Sequence, residues 1–231
     1  MAVASSIPLV ALLVGALFGT SWLYGKWRTL RRAEFIRTFR WPRGLLERLE
    51  KHHPGFQRKD SALVSRGLRQ FFLAYLMSGK RHVSMPSQVA DDLWHEFILY
   101  TREYDAFCRR AFGGFLHHTP AVVLSEHRKS NEGLRRVWWY CCKYENIDPV
   151  SPTRLPLLFA LDSKFNIANG FVYHPDCEEL RKNGSGAVYC GGDFADTSFD
   201  GSSDGFGDTG SDGGGDGSGG GDGGGGCGGG D

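Results

Sequence analysis

The residues of this chain best placed to do chemistry are Asp91 and His95, a carboxylate and an imidazole four positions apart. On a helix that spacing puts both on one face, where the acid can orient the ring. Arg102 and Arg109 fall on the same stripe if the helix runs on through residues 88–112. Such a stripe suits a metal ligand with a supporting acid, an anion-binding edge, or a salt-bridge network facing water. His117 and His118 follow the Gly113-Gly114 break, so a return of the chain brings one of them toward His95. A zinc or other divalent-metal site built from His95, His117 and His118 is therefore geometrically open.

The other ligand-type residues form weaker sets. His174, Cys177 and Cys190 are types that zinc accepts, but they lack the two paired knuckles that make a zinc signature specific. Cys108 lies thirteen residues after His95, about 140° around and about 20 Å along a straight helix, and reads as a buried thiol. Cys141 and Cys142 point about 100° apart on a helix and do not share an ion easily. Cys227 stands alone in a glycine tail. The sequence holds no HExxH, GxSxG, phosphate loop or GxGxxG before a helix, so enzymatic activity is uncertain and a non-enzyme is the preferred reading.

The elements that must position these groups are mainly helical. Asp60 is a plausible N-cap for a helix over 61–79, with Leu68, Phe71, Phe72, Tyr75 and Leu76 at helical spacing. Ser87 can cap the next helix, read as one element over residues 88–112 and ended by Gly113-Gly114. A third helix is expected over 132–144. Residues 155–162 form a short buried segment, and residues 171–177 a short strand or an extended end. The fold class expected is a mainly α chain with an N-terminal transmembrane helix, a small helical globular domain and a disordered Gly/Asp-rich tail.

Charge and hydropathy divide the chain into four parts: an anchor over 1–25, a basic juxtamembrane connector over 26–60, the helical domain over 61–182, and the tail over 183–231. Residues 7–24 carry no charge and as a helix reach roughly 27 Å, which predicts a single membrane span. Thirteen Lys or Arg against four acidic residues over 26–69 then predict an N-terminus outside, a cytoplasmic domain, and anionic lipid headgroups as partners of residues 26–43. A cationic arm beside a membrane leaves little reason to expect nucleic acid. Residues 191–231 hold nine Asp and no basic residue, too few apolar groups to fold and no nine-residue calcium repeat.

The run D-x-x-W-H-x-x-x-L-x-T-x-x-Y-x-x-F-C-x(4)-G-x(3)-H-H-x-P, here Asp91, Trp94, His95, Leu99, Thr101, Tyr104, Phe107, Cys108, Gly113, His117, His118 and Pro120, resembles the signature of the glycine-rich domain-containing protein family. The resemblance covers residues 61–177, and the glycine-rich tail fits bacterial members that carry a membrane segment. It implies no established activity. Phe97 occupies a place where some members carry a second histidine, which weakens a two-histidine ligand pair taken from that motif. Two functions are carried forward: a membrane-tethered helical interaction or scaffold module with an unidentified protein partner, and a metal-binding protein or metal-dependent enzyme using His95, His117 and His118.

Overall fold

The computed structural model describes residues 7–118, 132–175 and 189–194; side chains of residues 7–10, 189–190 and 192–193 are not part of that description. Seven α-helices are described: α1 (Ile7–Thr38), α2 (Leu45–His52), α3 (Arg58–Met77), α4 (Gln88–Leu99), α5 (Thr101–Phe112), α6 (Glu132–Tyr144) and α7 (Leu157–Phe165). A two-residue parallel pair, β1 (Tyr173–His174) with β2 (Tyr189–Cys190), leads into a 3₁₀ turn at Gly191–Phe194.

Helix α3 is the axis of the domain and packs against α1, α2, α4, α6 and α7. Its periodic apolar residues are the reason: Val64, Leu68, Phe71, Phe72 and Leu76 are all buried. Gly67 lets α7 approach closely, because a Cβ there would stand 2.5 Å from Leu161 Cδ1. Asp60 does not cap α3 from outside. It lies one turn into the helix, where its carboxylate accepts from the Gln57 N–H at 2.9 Å.

The transmembrane reading is overturned: among the described residues no helix is long and apolar enough to cross a membrane. Within α1 the described side chains begin at residue 11, and the uncharged run from there to Tyr24 is followed by Lys26, Arg28, Arg31 and Arg32. The topology drawn from a span, N-terminus out with a cytoplasmic domain, falls with it, as does the contact of residues 26–43 with anionic headgroups. The residues read as a connector also belong to the core. Ala33, Ile36, Leu45 and Leu49 are buried, and Arg69 closes the end of α1 by donating to the Ile36 and Phe39 carbonyls at 2.7 and 2.6 Å. The tail from residue 195, with Cys227, lies outside the described residues.

Two polar clamps hold α7 in place. The Asp162 carboxylate, almost fully buried, accepts from Ser87 Oγ (2.7 Å), Gln88 N (2.7 Å), Val89 N (3.1 Å) and Phe171 N (2.9 Å). One side chain thus satisfies the orphan N–H groups at the start of α4 and ties them to α7. At the other end of α7, Glu145 accepts from Leu157 N and Gln70 Nε2 and pairs with Arg154, while Gln70 Oε1 accepts from Leu158 N.

Three free thiols, Cys108, Cys141 and Cys142, are buried in this core. Burial pushes all three upward, Cys142 to about 12 and Cys141 well above the ordinary range. An unfolded thiol titrates near 8.5, so as pH rises the unfolded state loses its proton first, and folding stability falls from about pH 8.5 toward the folded value. Urea denaturation at pH 10 is expected to show a loss of about 2 kcal/mol or more relative to pH 8. A curve unchanged between the two would show that the thiols are accessible to solvent.

Candidate metal centre

Helix α4 carries the first two donors because its start is fixed. Ser87 is the N-cap, its hydroxyl accepting from Ala90 N at 3.3 Å, and Asp162 holds the preceding N–H groups. Asp91 then points inward from the first turn with only 4% of its side chain exposed, and His95 follows one turn later at 52%. On the far flank α2 engages α4 through His53–Asp92 at 2.9 Å and Arg48–Glu96 at 3.1 Å.

The expected single helix over 88–112 is broken at Tyr100, where φ −81° and ψ 61° match an inverse γ-turn. The Tyr100 hydroxyl is tied to the Arg43 carbonyl at 3.2 Å, which anchors the corner. Helix α5 therefore starts afresh and aims Tyr104, Phe107, Cys108 and Ala111 into the core. The break interrupts the register that placed Asp91, His95, Arg102 and Arg109 on one stripe. Arg102 is exposed on α5, and Arg109 pairs with Asp105 at 2.8 Å within its own helix.

The third donor arrives on the segment after α5. Gly113 ends the helix at φ 80°, and the Arg32 guanidinium lies where a Cβ would stand, so only glycine serves. Buried Tyr104 then fixes the return: its hydroxyl donates to the Leu116 carbonyl at 2.5 Å and accepts from Trp94 Nε1 at 3.1 Å. Burial pushes the Tyr104 phenol far up, so it stays a donor at every ordinary pH. The Trp94 indole meanwhile meets the His118 ring edge-on at 4.5 Å.

His118, 9% exposed, thereby reaches Asp91, with Nε2 2.8 Å from Oδ1, while His95 Nδ1 stands 3.6 Å from Oδ2. The two imidazole centroids are 4.1 Å apart. One donor atom from each of Asp91, His95 and His118 lies within 4.8 Å of the others. For metal–ligand bonds of about 2.1 Å, neighbouring donors in octahedral or tetrahedral geometry are about 3.0 to 3.4 Å apart. The observed 2.8 and 3.6 Å, one to each Asp91 oxygen, lie near that interval.

His117 takes no part in the cluster; it is exposed and packs against Phe115 at 4.9 Å. Adjacent residues in an extended segment point to opposite sides, and the Leu116 anchor selects His118 for the inside. At the weaker set, His174 and Cys190 are register partners across the β1–β2 pair, and Cys177 lies outside the described residues. Sequence reasoning had Asp91 as an orienting acid and missed it as a donor. Its position one turn inside a capped helix, beside buried Leu93 and Trp94, was the available signal.

A family model described as UCP032817-like matches residues 31–194, more than two thirds of the chain. That match replaces the glycine-rich domain-containing resemblance and the membrane-anchored type inferred with it. Neither the curated proteins nor the solved structures contain a match.

Proposed function

The chain belongs to the UCP032817-like family, and because the matched span contains all three clustered donors, we propose that it is a metal-binding helical domain whose centre is Asp91, His95 and His118. The observation that carries this reading is the convergence of a buried carboxylate and an imidazole on α4 with a second imidazole from the segment after α5, their donor atoms within 4.8 Å of one another. Two histidines and one carboxylate suit zinc and also ferrous iron, with remaining coordination places open to water. The ion would be held between Oδ1 or Oδ2 of Asp91 and one ring nitrogen of each histidine. We assign it binding rather than a reaction, in keeping with a sequence that carries none of the common hydrolase or nucleotide motifs.

Elemental analysis of the full chain, purified without chelator or affinity metal, is expected to give about one zinc or iron per molecule at neutral pH. Ligating imidazoles must be neutral, so the ion is expected to leave as the buffer is acidified. His95, half exposed and without a structural hydrogen bond of normal length, is the variant to pair with it: His95→Ala should lose the ion with an unchanged circular dichroism spectrum. Absence of metal in the wild-type chain after incubation with either ion would reduce the cluster to a buried Asp91–His118 ion pair.

A further inference from the structure

Helix α1 and the last turns of α5 line an open groove of about 500 Å³, and its lining is unusual in charge. Four guanidinium groups, Arg28, Arg31, Arg32 and Arg110, meet there with Trp27 and Phe35. None of the four has a carboxylate partner among the described residues; Glu34, also on the rim, is turned to Arg37 at 3.6 Å. A second open groove of about 290 Å³ continues from it past Phe35 and Arg110 and adds Arg40.

The arginines are held where they are by means other than acids. Arg31 lies over the Trp27 ring at 5.2 Å and Arg110 over Phe35 at 4.4 Å, so aromatic faces orient both forks. Arg32 donates to the Phe112 carbonyl at 3.0 Å and rests against Gly113. Burial first, and the Arg28 charge second, push its guanidinium below the ordinary value. Four guanidinium groups oriented by aromatic faces and a carbonyl, outnumbering the single carboxylate Glu34 in the same lining, are complementary to a compact polyanion.

We propose that this α1–α5 groove is a binding site for a small soluble phosphate-bearing anion, with Arg28, Arg31 and Arg110 as its direct donors and Arg32 as the charge behind them. Planar arginine forks match phosphate oxygens two at a time, and the volume is that of a metabolite pocket. A ligand with several phosphate groups can engage more than one fork at once, so oligophosphates should exceed orthophosphate in affinity. The site is distinct from the metal centre, sharing none of its donors.

Titration calorimetry of the full chain with inorganic tripolyphosphate, at about physiological ionic strength, tests this directly. The expected result is saturable binding of one tripolyphosphate per chain. It should weaken at least tenfold in the double variant Arg28→Gln, Arg110→Gln, whose side chains are exposed, and remain unchanged in Arg66→Gln, an exposed charge on α3 outside the groove. Equal weakening in Arg66→Gln would show diffuse charge attraction and overturn the site. So would heats that never saturate.

Discussion

Asp162→Ala is expected to destabilise the domain by about 3 to 5 kcal/mol. The carboxylate accepts four hydrogen bonds, two on each oxygen, from Ser87, Gln88, Val89 and Phe171. Alanine leaves one hydroxyl and three backbone N–H groups without their acceptor, two of them, Ser87 Oγ and Val89 N, fully buried. Asparagine does little better, because its amide nitrogen cannot accept and meets two donors head-on. The start of α4 is then uncapped, and the β1 approach through Phe171 comes loose at the same time. Urea denaturation measures the loss as a lower midpoint, with melting about 2 to 4 °C lower for each kcal/mol in a domain of this size. A change under 1 kcal/mol would mean that ordered water replaces the carboxylate.

Asp91→Asn is expected to lower metal affinity at least a hundredfold, the largest effect on the centre. The substitution keeps the shape of the side chain but removes the only negative charge among the three donors. An amide oxygen is a far poorer ligand for a divalent ion, and two imidazoles alone leave the ion underheld. In metal-free protein the same change replaces the 2.8 Å contact to His118 with a neutral hydrogen bond, costing about 1 to 2 kcal/mol. The two effects separate in one experiment: competition with a chromophoric chelator reads affinity, and melting in excess chelator reads stability. Wild-type affinity retained in Asp91→Asn would remove the carboxylate from the ligand set.

The i, i+4 pair Asp91 and His95 was legible because helical spacing is local, and both donors sit on one uninterrupted stretch of α4. His118 was legible only as one of two neighbours. The choice between it and His117 is made by the Tyr104 hydroxyl on the Leu116 carbonyl, a contact between elements that no spacing encodes. The corner at Tyr100 was hidden for a related reason. No glycine or proline marks it, and its anchor at Arg43 lies 57 residues away. The lipid contact expected of residues 26–43 came from a run of arginines, which in isolation signals solvent or membrane. In the fold Ile36, Leu45 and Leu49 turn inward between those charges. Asp162, the residue on which α4 most depends, looked like an ordinary end to an apolar run.

The helix α4–corner–helix α5 unit has a further consequence, for the order of events in folding. All three donors lie between residues 91 and 118, whereas the Ser87–Asp162 contact spans 75 residues and the Gln70–Leu158 contact 88. Closing the shorter loop costs about 1 kcal/mol less chain entropy than closing the longer ones, and short-range contacts form sooner. An ion held by Asp91, His95 and His118 would therefore tie α4 to the segment after α5 across a shorter loop than the one closed when α7 docks. Its effect would be read in the rate of refolding as well as in the stability of the finished domain.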